Sequence, residues 1–213
     1  MLTIITPVLV QNEQAAIRLT KRFNLFAEYL SLHPSNIEWF VMVENSHEKF
    51  DPISIGLADE VIKVIHTRTN RAWSQSRLKN LALHKASAKK VLILDQDAIT
   101  PPATLAEIIM LNIHPETCGL FKDKHGSSTM SAMVFYKGLF FDETFVGSRG
   151  EREHFIKYHN LQVFTHHQPI GLLYDNYHRY HHTNYETNET LDKKQDTIKV
   201  SNFDEFFKTK TNV

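Results

Sequence analysis

The 213-residue chain carries a single cysteine, Cys118. An intramolecular disulfide needs two, so a secreted disulfide scaffold is excluded, and Cys118, with no evident His or Asn partner, reads as a buried structural thiol. Glycine is scarce as well, with seven residues where average usage of about 7% would give roughly 15. Neither a GxGxxG fingerprint nor a GxxxxGK[ST] loop occurs, which counts against dinucleotide dehydrogenases and P-loop NTPases. No charge of either sign is in surplus: 24 Lys plus Arg stand against 24 Asp plus Glu. A nucleic-acid partner, which calls for an excess of cations, is therefore not expected. Long apolar runs are missing too. The segments Trp39 to Val43 and Val91 to Leu94 fall far short of the roughly 18 residues that span a bilayer. Met1 to Val10 has no basic region before it and meets Gln11-Asn12-Glu13 at once, unlike a signal peptide. These absences predict a soluble, cytoplasmic globular chain.

What is present is an alternation of elements. Leu2 to Val10 is β-branched and apolar throughout, the pattern of a strand buried on both faces of a parallel sheet. Gln14 to Leu32 steps its apolar residues by three and four, as an amphipathic helix does. Ile37 to Val43 and Glu60 to His66 read as strands, Ser74 to Ala88 as a helix, and Lys90 to Leu94 as a strand running into Asp95-Gln96-Asp97. Thr100-Pro101-Pro102 opens a helix to about Asn112. Strand, crossover and strand in this order predict a mainly parallel α/β sheet with helices on both faces and the ligand crevice along the C-terminal strand edge. After Cys118 the character shifts to α+β, with strands at Cys118 to Lys122 and Thr129 to Tyr136, a short helix at Glu151 to Tyr158, and strand-like residues at Gly171 to Tyr174. No Gly/Ser/Pro linker intervenes, so the expectation is one domain over 1–213, divided into 1–112, 113–185 and a polar tail 186–213.

Chemistry concentrates at few places. Two carboxylates in Asp95-Gln96-Asp97, directly after a buried strand, suit a ribose hydroxyl and a hard divalent cation completed by a diphosphate. Histidines number 13 and cluster late, at His166-His167 and in His178-Arg179-Tyr180-His181-His182. An imidazole beside a carboxylate suits Mn²⁺, with His178 first and His181 second as ligands. Zinc is disfavoured, because there is no Cys pair and no His-x3-His signature. Trp73, Tyr136, Phe140 and Phe141 could offer a sugar-stacking face or simply belong to the core.

From Leu2 to Asp97 the order TIITPVLVQN, Glu44-Asn45-Ser46, Asn70, Lys79-Asn80-Leu81-Ala82 and LDQD resembles the nucleotide-binding half of family-2-like GT-A fold glycosyltransferases, with LDQD at their LDxD, or DxD, motif. Glu44 stands where that family has Asp, and Lys79 where it has Arg. Phe141-Asp142-Glu143-Thr144-Phe145 followed by Gly150-Glu151-Arg152-Glu153 resembles the family's acceptor-side motif, whose Asp position falls on Arg152. The resemblance implies a GT-A type sheet followed by a smaller acceptor-side α+β region. It places Pro7, Glu44, Asn70, Arg77, Lys79, Asp95 and Gln96 around the donor, Asp97 with His178 or His181 on Mn²⁺ or Mg²⁺, and Glu151 or Glu153 as the base, Glu151 favoured.

The function so implied is transfer of a sugar from a UDP-sugar to a saccharide or lipid-linked acceptor with inversion, in surface polysaccharide or glycan synthesis. Phe203 to Phe207 with Lys208 and Lys210 offers a peripheral membrane contact. Two other readings stay open: a nucleotidyltransferase, although TPVLVQN lacks its Gly-rich loop, and a non-catalytic sugar-nucleotide or glycan-binding module, suggested by Arg152.

Overall fold

The computed structural model describes residues 1–9, 13, 16–17, 19–20, 23, 26, 30, 36–44, 62–67, 74–96, 98–100, 102–122, 128–144, 151–169 and 171–172. Chain order runs β1 (Leu2–Val8), β2 (Ile37–Glu44), β3 (Ile62–Thr67), α1 (Gln75–Lys85), β4 (Lys90–Leu94), β5 (Ala98–Ile99), α2 (Pro102–Met110), β6 (Thr117–Lys122), β7 (Ser128–Tyr136), α3 (Glu151–Tyr158), β8 (Gln162–Pro169) and β9 (Gly171–Leu172). Helical backbone also occurs at Glu13, Ala16, Ile17, Leu19, Thr20, Phe23, Phe26 and Leu30, within or beside the expected helix 14–32.

Seven strands form one sheet in the order β3-β2-β1-β4-β7-β6-β8, and β5 pairs with β9 in a two-stranded sheet. The β1–β2, β1–β4, β2–β3 and β6–β8 pairs are parallel. The β5–β9 pair is antiparallel, and among the described residues of the seven-stranded sheet only β7 runs against its neighbours. This is the mainly parallel α/β sheet that the strand–crossover–strand order predicts.

The central strands are buried along their whole length, as their near-continuous apolar sequences require. Because side chains alternate across a strand, each strand feeds two cores. Leu2, Ile4, Val8, Trp39, Val41, Leu92 and Leu94 pack with Phe23, Phe26, Leu105 and Ile108 in one. Ile5, Phe40, Met42, Val91 and Ile93 pack with Leu78, Ala82, Leu83, Phe141 and Phe155 in the other. Trp39 anchors the first core, edge-on to Phe23 and Phe26 with both centroids at 5.1 Å, and its Nε1 donates to Thr6 Oγ1 at 2.9 Å. Glycine is used sparingly and by necessity at Gly119. A Cβ there would lie 2.6 Å from Phe164 Cζ and 2.8 Å from Val134 Cγ1, so the packing of Phe164 from β8 and Val134 from β7 over β6 depends on the missing side chain.

Local chemistry fixes the helix ends. Ser74 caps α1, its Oγ accepting from Arg77 N at 3.3 Å. Helix α2 ends at Met110, earlier than the expected Asn112, where Lys90 Nζ donates to Ile108 O and Ile109 O at 2.8 Å each and satisfies carbonyls left open by the helix end. Asn160, at φ 50°, closes α3 in a Schellman arrangement, with Leu161 N donating to Ile156 O at 3.0 Å and Asn160 N to Lys157 O at 3.2 Å. Strand β8 is not anticipated by the sequence pattern. It lies at the sheet edge, with Val163 48% exposed, and an edge strand need not carry the apolar signature of a buried one.

Candidate functional site

Parallel strands end on one side, so the C-termini of β1, β2, β3 and β4 share one edge of the sheet, the edge at which open α/β sheets take their ligands. That edge carries Pro7 near the end of β1, Glu44 at the end of β2, and Asp95-Gln96 directly after β4. Gln96 Oε1 accepts from Leu9 N at 3.0 Å, which ties the exit of β1 to the turn after β4.

Helix α1 lies across this edge and supplies its cations. Its sequence QSRLKNLALHK puts Ser76, Lys79, Asn80 and Leu83 at steps of three and four, so one buried stripe is polar at its N-terminal end and apolar farther on. Arg77 leaves that stripe on the next side. Its Nη2 donates to both oxygens of Glu44, at 2.6 and 2.7 Å. The Glu44 side chain is 1% exposed and that of Arg77 23%.

Helix α3 completes the site from the far half of the chain. Its first two residues are buried and both turn to charged partners. Glu151 receives Lys79 Nζ on one carboxylate oxygen and the Ser76 hydroxyl on the other, and Lys79 Nζ also donates to Gln75 Oε1 at 2.9 Å. Arg152 Nη2 donates to Asp95 Oδ1. Asn80 holds the intervening chain, donating to Phe141 O at 2.9 Å and Glu143 Oε1 at 2.9 Å and accepting from Phe141 N at 2.8 Å. The Phe141 ring so placed stacks on Phe155 at 4.2 Å and lies 4.9 Å from Lys79 Nζ. Burial pushes the Lys79 ammonium below its ordinary value; the negative charges of Glu151 and Asp95 oppose this, and Arg152 reinforces it.

The expected donor residues Glu44 and Arg77 thus form one pair, Lys79 and Glu151 a second, and Asp95 is joined by Arg152. Glu153, the other candidate base, is exposed on α3. Asn70, Trp73, Asp97, His178, His181 and the tail 186–213 lie outside the described residues. Ser76 and Asn80 were not among the expected site residues. Their signal is the spacing of Ser76, Lys79 and Asn80, three polar residues on the very stripe that Leu83 continues into the core.

Among the described residues no group of three or more His, Cys, Asp or Glu is arranged to hold a metal, and no helix is long and apolar enough to cross a membrane. The expected cation ligands Asp97, His178 and His181 lie outside the described residues, and the carboxylate of the nearby Asp95 balances the Arg152 guanidinium. A dication on that oxygen would stand against a fixed positive charge, so Asp95 as placed does not fit one.

No model of a protein family matches the sequence, and no curated protein does. Solved structures do match in fold. S. aureus TarS 1-349 in complex with UDP-GlcNAc superposes with a TM-score of 0.59 at 14% identity, over 80% of this chain and 57% of that one. Mannosyltransferase PcManGT from Pyrobaculum calidifontis, in complex with GDP-Man and Mn²⁺, does so with a TM-score of 0.53 at 15% identity, over 80% of this chain and 56% of that one. The chain spans little more than half the length of either. The fold is the GT-A-like, Rossmann-related α/β fold of nucleotide-sugar glycosyltransferases.

Proposed function

We propose that this GT-A-like chain is a nucleotide-sugar-dependent glycosyltransferase whose donor site is the C-terminal edge of β1 to β4. One observation carries the reading: Glu44, Arg77, Asp95 and Gln96, four of the residues expected around the donor, gather at that edge. The nucleotide-sugar ligands of TarS and PcManGT support a nucleoside-diphosphate sugar as the ligand class, with UDP favoured. Glu44 accepts from the base, Asp95 from a ribose hydroxyl, and Arg77 faces the diphosphate, while Gln96 keeps the β1 exit in register.

Transfer proceeds as the acceptor hydroxyl oxygen attacks the anomeric carbon. The bond from that carbon to the diphosphate oxygen breaks, its electrons leave with the nucleoside diphosphate, and the configuration inverts. The hydroxyl proton passes to a carboxylate. Glu151 has both oxygens engaged by Lys79 and Ser76, so the reading assigns the proton to Glu153 and makes Glu151 a positioning residue. The acceptor class is a saccharide or lipid-linked saccharide of surface polysaccharide synthesis, met at the cytoplasmic face of a membrane.

The test follows UDP and GDP release from UDP-GlcNAc and GDP-Man with a mixed saccharide acceptor. Glu153→Gln is expected to lower kcat by about 10²- to 10⁴-fold with UDP affinity unchanged; unchanged turnover removes Glu153 from the role. A second reading, donor binding without transfer, is favoured by Arg152 and by the engagement of Glu151. Tight UDP binding with no release across the acceptor panel would select it.

A further inference from the structure

Four charges meet where α3 approaches the end of β4. Lys79 and Arg152 bring two positive charges, Glu151 and Asp95 two negative ones, with side-chain exposures of 0%, 5%, 2% and 27% respectively. They act as one unit, since Lys79 responds to all three of the others. Within it Arg152 is placed against the local electrostatics. It lies in the first turn of α3, the positive end of the helix dipole, where carboxylates such as its neighbours Glu151 and Glu153 are favoured and a cation is not. Asp95 offsets that cost from the end of β4, and it is the most exposed member of the set, on the ligand edge.

A guanidinium differs from an ammonium in carrying five N–H donors in a planar fork that fits two phosphate oxygens at once. Asp95 receives Nη2 of Arg152 through a single carboxylate oxygen, Oδ1. We propose that Arg152 is a second diphosphate ligand of this donor site beside Arg77, held in place by Asp95, so that the nucleoside diphosphate binds without a divalent cation. The inference rests on the donor-site reading above and deepens it. With the site empty, Asp95 neutralises Arg152. With the diphosphate bound, Arg152 faces phosphate oxygens while Asp95 keeps it in place. A dication bound to Asp95 would compete with the guanidinium for the same carboxylate.

The test is calorimetric titration of UDP and of GDP into the full chain, once with EDTA and once with Mn²⁺. The expected result is binding of at least one nucleotide with a Kd that agrees within about twofold between the two buffers. In EDTA, Arg152→Gln is expected to weaken that binding by at least about tenfold, and Arg152→Lys to recover part of the loss, as a charge-assisted contact predicts. Binding that appears only with Mn²⁺ overturns the role of Arg152 and leaves the donor site standing. An unchanged Kd in a folded Arg152→Gln protein does the same. If neither nucleotide binds in either buffer, the donor-site reading itself falls, and this inference with it. The wild-type titrations decide the metal question even if a variant fails to fold.

Discussion

Glu38 and Glu44 stand on the same strand and the same face, six residues apart, and both are almost fully buried, yet they are satisfied in opposite ways. Glu38, at the N-terminal end of β2, takes its hydrogen bonds mainly from short, fixed groups: the Thr3 hydroxyl at 2.5 Å, Ser87 N at 2.6 Å and Ala88 N at 3.3 Å. Among the described residues only Lys63 Nζ, at 3.1 Å and 43% exposed, brings charge. Glu44, at the C-terminal end, leans mainly on the long arm of Arg77, with the Thr67 hydroxyl farther off at 3.5 Å. The closed side of the sheet is built from donors that cannot leave, and the open side from cations that a ligand can recruit. One strand thus holds a structural carboxylate and a candidate binding carboxylate, distinguished by their partners and not by their burial.

The comparison breaks most visibly at Lys79. Lys79→Ala leaves Glu151 buried without its counter-charge and is expected to cost about 3–5 kcal/mol; denaturant melts would measure this. Lys79→Met combined with Glu151→Leu should return most of that loss, since an apolar pair needs no compensation. If the single substitution costs nothing, the pair is not the structural bolt between α1 and α3.

Glu38 should matter less, and in a pH-dependent way. Its carboxyl is held at about 2 against an ordinary 4.5; burial raises it, and the hydrogen bonds from Thr3, Ser87 and Lys63 outweigh burial. A depressed folded value stabilises the fold above the unfolded value, so this contribution is complete above pH 4.5 and drains away as pH falls toward 2. Glu38→Gln is expected to cost about 1–3 kcal/mol at neutral pH and to flatten the acid limb of a stability-against-pH curve. An unaltered acid limb would show that Glu38 is not the group responsible.

Lys63→Ala marks the lower end of the scale. Its ammonium is nearly half exposed, and exposed pairs contribute about 0.2–1 kcal/mol. A melting shift larger than that would mean the closed side also relies on charge, and would blur the contrast with the open side.

The same contrast explains what could be read from the sequence. Near-continuous apolar runs in Leu2–Val8, Ile37–Glu44 and Lys90–Leu94, alternating with helical steps in Gln75–Lys85, carry the mainly parallel α/β sheet, because strands buried on both faces need apolar residues at every position. The limits of α3, Glu151–Tyr158, agree with the expected helix because acids open it and Asn160 can take the left-handed turn that closes it. The pairing of charges was not legible. Lys79 meets Glu151 across 72 positions and Asp95 meets Arg152 across 57, and no local period encodes which lysine finds which carboxylate. The resemblance brought Glu151 and Lys79 to the same site without saying that they would meet each other. Strand β8 was hidden for a related reason, since its place is set by pairing with β6 and not by an apolar run of its own.

The pairing of β5 with β9, which matches Ala98 to Leu172 and Ile99 to Gly171, has a consequence for how the protein is made. Strands β1 to β4 and helix α1 leave the ribosome first, while Lys79 and Asp95 wait for α3 and the turn after β4 waits longer still for β9. Vectorial synthesis therefore delivers the parallel strands before the α3 residues that meet their ligand edge. A chain stalled or cleaved before Glu151 would display an unpaired ammonium at the heart of an otherwise ordered half, marking it for chaperones or proteases.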